Sequence, residues 1–178
     1  MGKKVVGAAN LVGSILLKPA QSTSRDEYDT TMALNVASAF GVVRSGSKAM
    51  RQGGSIVLMS SCAAQVGLPN HEAIAAAKGA VIGLTRSAAA TLAPKVRVNC
   101  IAPGLVDTPM AKAITSSKPA MDASIAMHPM ERIGEPADIV PVLSWLLGPE
   151  SAWVTGQVIG VDGGVASVRG RVKATAKG

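Results

Sequence analysis

The chain has 178 residues, enough for one domain with a substantial core. Hydrophobic residues make up 48% of it and the formal net charge is +7, a composition that excludes a disordered segment, a collagenous repeat or a repeat array. With only two Trp, one Tyr and one Phe, the core must be filled by Ala, Val, Ile, Leu and Met, which favours close helix–sheet packing.

The first seventeen residues place Lys3 and Lys4 before an apolar stretch, a layout like that of a signal peptide, but the stretch reads better as strand and loop. Val6 breaks the myristoylation motif that Gly2 would begin. Residues 5–12 read as a buried strand running into a loop at Gly13. Residues 25–50 read as one long helix, with Asp26, Glu27 and Asp29 in its first turns, where the helix dipole favours acids. Met32, Leu34, Val36, Phe40 and Val43 supply its apolar face, and Gly53-Gly54 closes the segment. Residues 55–60, SIVLMS, form a short continuous apolar run typical of a strand buried on both faces of a parallel sheet.

Residues 71–92 read as a second long helix with Ala at most close-packing positions. The next strand, 96–102, is stopped by Pro103-Gly104. Residues 110–127 read as a mobile, polar-rich helical flap. Residues 136–147 read as a helix with Pro at its start and Asp138 in its first turn. A last strand, 157–161, ends at Asp162-Gly163-Gly164. This alternation predicts an α/β fold: a three-layer, doubly wound parallel sheet of Rossmann-like type.

The domain is expected over residues 1–165, followed by a basic tail over 166–178. Arg169, Arg171, Lys173 and Lys177 fall in the last ten residues with no acid among them, so over half of the net charge sits at the terminus. Tyr28 and Phe40 are the only Tyr and Phe, and no basic–aromatic interleaving occurs, so specific nucleic-acid binding is not expected. No apolar run reaches the roughly 18 residues that cross a bilayer, so no membrane association is expected either. Cys62 and Cys100 have no metal spacing and need not form a disulfide, and with no targeting signal read, a cytoplasmic location is the expectation.

Five segments carry a resemblance. They are Asn35 in MALNVASAF, Ser60-Ser61 at a strand end, Lys78 in AAAKGAVIGLTRS, the loop VRVNCIAPGLVDTPM, and TGQVIGVDGG at the last strand. In order and spacing, residues 10–164 resemble the short-chain dehydrogenase/reductase family, with wording similar to its 3-oxoacyl-carrier-protein reductases. The resemblance implies hydride transfer between NAD or NADP and a small carbonyl or alcohol substrate. It implies that Asn35 anchors a proton-relay water, that Ser61 orients the substrate oxygen, and that Lys78 bonds the nicotinamide ribose. ANLVG, residues 9–13, stands where the family has Asn-Asn-Ala-Gly, so Asn10 and Gly13 fall to the cofactor. Thr108 and the backbone of Pro103, Gly104 and Val106 are placed to bind its carboxamide and phosphate. The two long helices resemble the family's dimer-forming helices, which implies a homo-oligomer.

Two departures stand out. Family spacing puts the catalytic Tyr four residues before the Lys and thirteen after the Ser, and Ile74 stands there, in HEAIAAAK. A sec-butyl group can neither donate nor accept the proton that carbonyl–alcohol chemistry exchanges. The other departure is that no Gly-rich turn precedes Asn10, so the chain is expected to be N-terminally truncated, lacking the first three strands of the family fold. Residues 5–12 would then correspond to the family's fourth strand, with a bare, apolar edge.

Each residue also has a plainer reading. Ser61 suits a turn hydroxyl, Lys78 a snorkelling helix lysine, and Thr108 a helix N-cap. His71, Ile74 and Lys78 share a helical face, so His71 is a candidate proton relay, with Glu72 a weaker substitute and an exposed helix-start histidine the alternative. Cys62 reads as a small buried residue, Asp162-Gly163-Gly164 as a turn rather than a metal site, and Trp145 and Trp153 as core or interface packing. Two functions follow: an NAD(P)-dependent oxidoreductase, or a non-catalytic relative serving as a structural or regulatory subunit.

Overall fold

The apolar run from Ser55 to Leu58 is buried at every position, and it forms the second strand of a parallel sheet in the computed structural model, which describes residues 4–170. Strands β1 (Gly7–Ala9), β2 (Gly54–Met59), β3 (Val96–Pro103) and β4 (Val158–Val161) lie side by side in that order, all parallel. Register pairs Gly7 with Ser55, Ile56 with Val98 and Cys100 with Val158.

Alternation along the strands sends side chains to two faces. Ile56, Leu58, Val98 and Cys100 pack on one face with Ala39, Val81 and Ala88 from the helices α2 (Ser38–Ala49) and α3 (Glu72–Leu92). Val57 and Ile101 pack on the other with Ile139 and Leu146 of α6 (Pro136–Leu147). The layering is thus the doubly wound three-layer one expected, and each fully buried Ile or Leu in it contributes about 1.5–3 kcal/mol. Helices α4 (Lys112–Thr115) and α5 (Lys118–Met127) follow β3 and lie over the C-terminal ends of the strands.

The first strand is shorter than the apolar run suggests. Ladder bonds extend from Val6 O, which accepts from Ser55 N, to Asn10 N, which donates to Val57 O. There Asn10 Oδ1 accepts from Val12 N at 3.1 Å and turns the chain out of the sheet. Among the described residues β1 pairs only with β2, and Val6 is 65% exposed beside it. The last strand also starts one residue late, because Gln157 N donates to the Asn99 side chain.

The long helix expected over 25–50 is interrupted. Helix α1 (Arg25–Met32) opens with a capping box, in which Ser24 Oγ accepts from Glu27 N and the Glu27 carboxylate accepts from Ser24 N. A wide π turn at Ala33–Ala37 then separates it from α2. Helix α6 begins and ends where expected, with Asp138 accepting from Glu135 N and from both terminal nitrogens of Arg132 at 2.7 Å.

Trp153 is 99% exposed and Trp145 40% exposed, so of the two alternatives, core or interface packing, the core one is excluded. Arg171, Lys173 and Lys177 of the basic tail lie outside the described residues, and Arg169 is exposed. Among the described residues no helix is long and apolar enough to cross a membrane, and no cluster of three metal-ligating side chains occurs.

Candidate functional site

Helix α3 starts above the end of β2 and runs back down the sheet, which carries Lys78 under the loop after β1. Lys78 is 8% exposed, and its Nζ donates to Met59 O at 3.0 Å. In return Ser60 Oγ donates to Lys78 O at 2.9 Å. No ion pair of Lys78 occurs among the described residues, and burial pushes its pKa below the ordinary lysine value. The side chain thus turns inward to a strand-end carbonyl instead of extending along the helix surface.

Asn35 occupies the wide turn between α1 and α2 at 1% exposure. Its Nδ2 donates to Thr31 O at 2.9 Å and to Ser14 Oγ at 3.0 Å, while Oδ1 accepts from Ser14 N at 3.3 Å. The side chain thus satisfies a helix carbonyl and anchors the loop after β1 at once. Gly13 precedes that anchor. A Cβ there would lie 2.8 Å from Asn35 Oδ1 and 3.3 Å from Lys78 Nζ, so only glycine leaves this recess open. Asn10 is buried, with Nδ2 donating to Ser38 Oγ at 3.0 Å.

Helix α3 and the loop after β1 border a cleft of about 340 Å³ at the C-terminal ends of the strands, whereas Asn10 and Asn35 are buried behind it and do not line it. Gly13, Ser61, Ile74, Lys78, Val106 and Thr108 all line it, together with Pro103 and Gly104. Ser61 Oγ accepts from Ala63 N at 3.2 Å, so the hydroxyl caps a turn and still has its own O–H to donate. Thr108 precedes a short helical turn but caps nothing, its Oγ1 pointing back to Val106 O at 3.4 Å. The loop is held from outside by Gly134, whose N donates to Leu105 O and whose O accepts from Asp107 N.

Ile74 is 5% exposed and also lines a smaller adjoining cavity of about 150 Å³ with Ser61, Cys62 and His71. His71 does not line the main cleft. Its Nδ1 lies 2.7 Å from Pro69 O, a carbonyl that can only accept, so that nitrogen carries the proton, and among the described residues Nε2 has no hydrogen-bond partner. Cys62 is buried and burial raises its pKa, in keeping with a structural rather than a nucleophilic thiol. The Asp162 carboxylate accepts from Gly164 N at 2.9 Å and Ala166 N at 2.8 Å, so it closes a turn as expected.

Three residues that matter to this site went unread in the sequence. Ser14 and Thr31 are the partners of Asn35, and their only local signal is adjacency to Gly13 and a spacing of four from Asn35. His128, buried beneath the cleft loop, carries no motif.

Residues 3–166 match the family model described as enoyl-(acyl carrier protein) reductase. The hydroxynaphthalene reductase-like protein Arp2 of Metarhizium acridum is 39% identical over an alignment of 165 residues, with 85% of this chain and 62% of that protein covered. The chain therefore spans 62% of that curated relative's length. Among solved structures, a short-chain type dehydrogenase/reductase from Mycobacterium ulcerans superposes with a TM-score of 0.87 at 34% identity, over 94% of this chain and 62% of that one. A gluconate 5-dehydrogenase from Burkholderia cenocepacia, in complex with NADP and tartrate, gives 0.89 at 26% identity, over 93% and 66%.

Proposed function

This chain belongs to the short-chain dehydrogenase/reductase family, and from that premise we propose that its cleft serves an NAD(P)-dependent oxidoreductase, acting between a nicotinamide and a small carbonyl or alcohol. The observation that carries this reading is Lys78, a buried ammonium at a mainly apolar cleft with one acceptor, Met59 O, for three N–H groups.

The residues fit the nicotinamide end of the cofactor. The recess left by Gly13 lies against Lys78 Nζ and Asn35, and Lys78 has N–H groups to spare for a ribose hydroxyl. Asn10 and Gly13 would border the same end, and Thr108 with the main chain of Pro103, Gly104 and Val106 would hold the carboxamide and a phosphate. Bound there, NAD or NADP supplies or takes up the hydride. Ser61 turns its O–H toward the substrate oxygen, Asn35 anchors a relay water, and Met59 and Leu143 help to keep bulk water out.

Proton exchange is the step that Ile74 cannot perform. Of the two histidines in the adjoining cavity, His128 has both ring nitrogens engaged, whereas among the described residues His71 Nε2 has no partner. We therefore assign the relay to His71. Copies of the chain associate through α2 and α3 in this reading, which the exposed Phe40 on α2 supports.

The second reading, a non-catalytic structural or regulatory subunit, is favoured by the same buried Ile74. Titration with NADPH and with NADH, followed by nicotinamide fluorescence, separates the two. Saturable binding that weakens tenfold or more in Lys78→Met supports the oxidoreductase. Absence of binding to either cofactor overturns it and leaves the subunit reading. Where binding is found, carbonyl reduction gained by Ile74→Tyr would establish that the remaining site is competent.

A further inference from the structure

His128 follows the last turn of α5 at 4% exposure, and both of its ring nitrogens are used. Nδ1 lies 2.7 Å from Ser124 O, an acceptor, so Nδ1 carries a proton. Nε2 faces the Leu105 amide, a donor, at 3.3 Å. The two contacts together require one tautomer of a neutral ring. The ring is also wedged. A Cβ on Gly104 would come within 2.6 Å of Nε2, and Glu131 N donates to His128 O at 2.8 Å.

Leu105 and Gly104 line both the main cleft and the smaller cavity, and Leu105 O is held in turn by Gly134 N at 2.8 Å. The His128 ring therefore ties the end of the helix over the cleft to the loop that walls it by a hydrogen bond.

We propose that His128 is a positioning residue, a neutral-imidazole latch that holds the Leu105 amide and with it the cleft wall, and releases them when the ring gains a second proton. A doubly protonated ring donates from both nitrogens. The bond to Ser124 O survives, while Nε2–H and the Leu105 N–H become two donors facing each other. Arg132 and Asp138, which pair with each other, border the ring's outer side together with Asp162, whose oxygens are taken by backbone amides. Cys62 and His71 face it across the smaller cavity, Glu131 follows it in the chain, and Lys118 and Asp122 pair on α5. Among the described residues the ring itself bonds only to Ser124 and Leu105. The proposal needs no bound cofactor and stands apart from the oxidoreductase reading.

The test is amide exchange by NMR on the ¹⁵N-labelled full chain, with the His128 ring nitrogens followed as pH is lowered from neutrality. Leu105 protection should fall roughly tenfold as the ring protonates, while the Cys100 amide in β3 keeps its protection. His128→Gln offers an acceptor that does not titrate, so Leu105 should stay protected in acid. His128→Phe offers none, so protection should be low throughout. Unchanged Leu105 protection in His128→Phe overturns the latch. So does wild-type protection that ignores ring protonation, or a ring that stays neutral until β3 itself unfolds. If neither variant folds by circular dichroism, the wild-type titration alone decides.

Discussion

Ser60 and Lys78 hold one another across the end of β2: the Ser60 hydroxyl donates to the Lys78 main-chain oxygen at 2.9 Å while the Lys78 side chain returns to Met59 O at 3.0 Å. One consequence is that the two adjacent serines have separate work. Both border the cleft, but Ser60 is buried and spends its O–H on Lys78 O, whereas Ser61 keeps its O–H to donate. Another is that the Lys78 ammonium is largely buried with, among the described residues, a single carbonyl partner, which makes its charge a load on the fold.

Replacing Lys78 by Met should therefore be tolerated, and its effect should depend on pH. Burial lowers the folded-state pKa of Lys78 beneath the ordinary value of 10.5. The charged form is thus disfavoured by folding, the penalty is present in full below the folded pKa, and it vanishes as pH rises to 10.5. Urea unfolding of both proteins from neutral to alkaline pH should show wild type gaining on Lys78→Met across that window. A constant difference would refute it.

Cys100 behaves in the opposite sense. Burial pushes its thiol from 9.0 up to about 11, so the folded state holds the proton more tightly. The associated stability is fully present below pH 9.0 and is lost as pH rises toward about 11, on the order of 2–3 kcal/mol in all. Under reducing conditions, Cys100→Ala should be less stable than wild type at neutral pH by about 1–2 kcal/mol. It should also lose less over that alkaline interval.

Asn35 and Ser14 form one unit. Truncating Asn35 to Ala leaves Thr31 O and the Ser14 hydroxyl without their partner inside the protein, at a cost of about 2 kcal/mol. Ser14→Ala should cost about 1 kcal/mol alone and clearly less in the Asn35→Ala background. A double-mutant cycle by chemical denaturation checks this, and additivity within error would mean that the contact is not coupled.

Gly13→Ala places a methyl 2.8 Å from Asn35 Oδ1, closer than a carbon and an oxygen can approach. The Asn35–Ser14 contacts must give way, so a loss of about 1–3 kcal/mol is expected. Nicotinamide binding, where wild type has it, should fall with the same substitution, because the added carbon also sits 3.3 Å from Lys78 Nζ. Calorimetric melting and the fluorescence titration measure the two effects separately.

What the sequence determined by itself is whatever rests on short-range periodicity and residue type. The apolar run at 55–60, the proline and first-turn acid of α6 and the alternation of strands with helices are local signals, and they located the sheet and its layers. The quoted segments likewise brought Gly13, Ser61, Ile74 and Lys78 to one cleft, because the C-terminal ends of parallel strands converge there. Tertiary structure decided the rest. It opened the wide turn at Asn35, buried Lys78, set His71 in a neighbouring cavity and placed His128 against Leu105. For Asn35, Lys78 and His128 the outcome turns on whether a polar group finds its partner on a different element, 19 residues away for Lys78 and Met59, 21 for Asn35 and Ser14, and 23 for His128 and Leu105. Helical and strand periods carry no information over such separations, and the cost of an unpaired buried polar group is settled only when the elements pack.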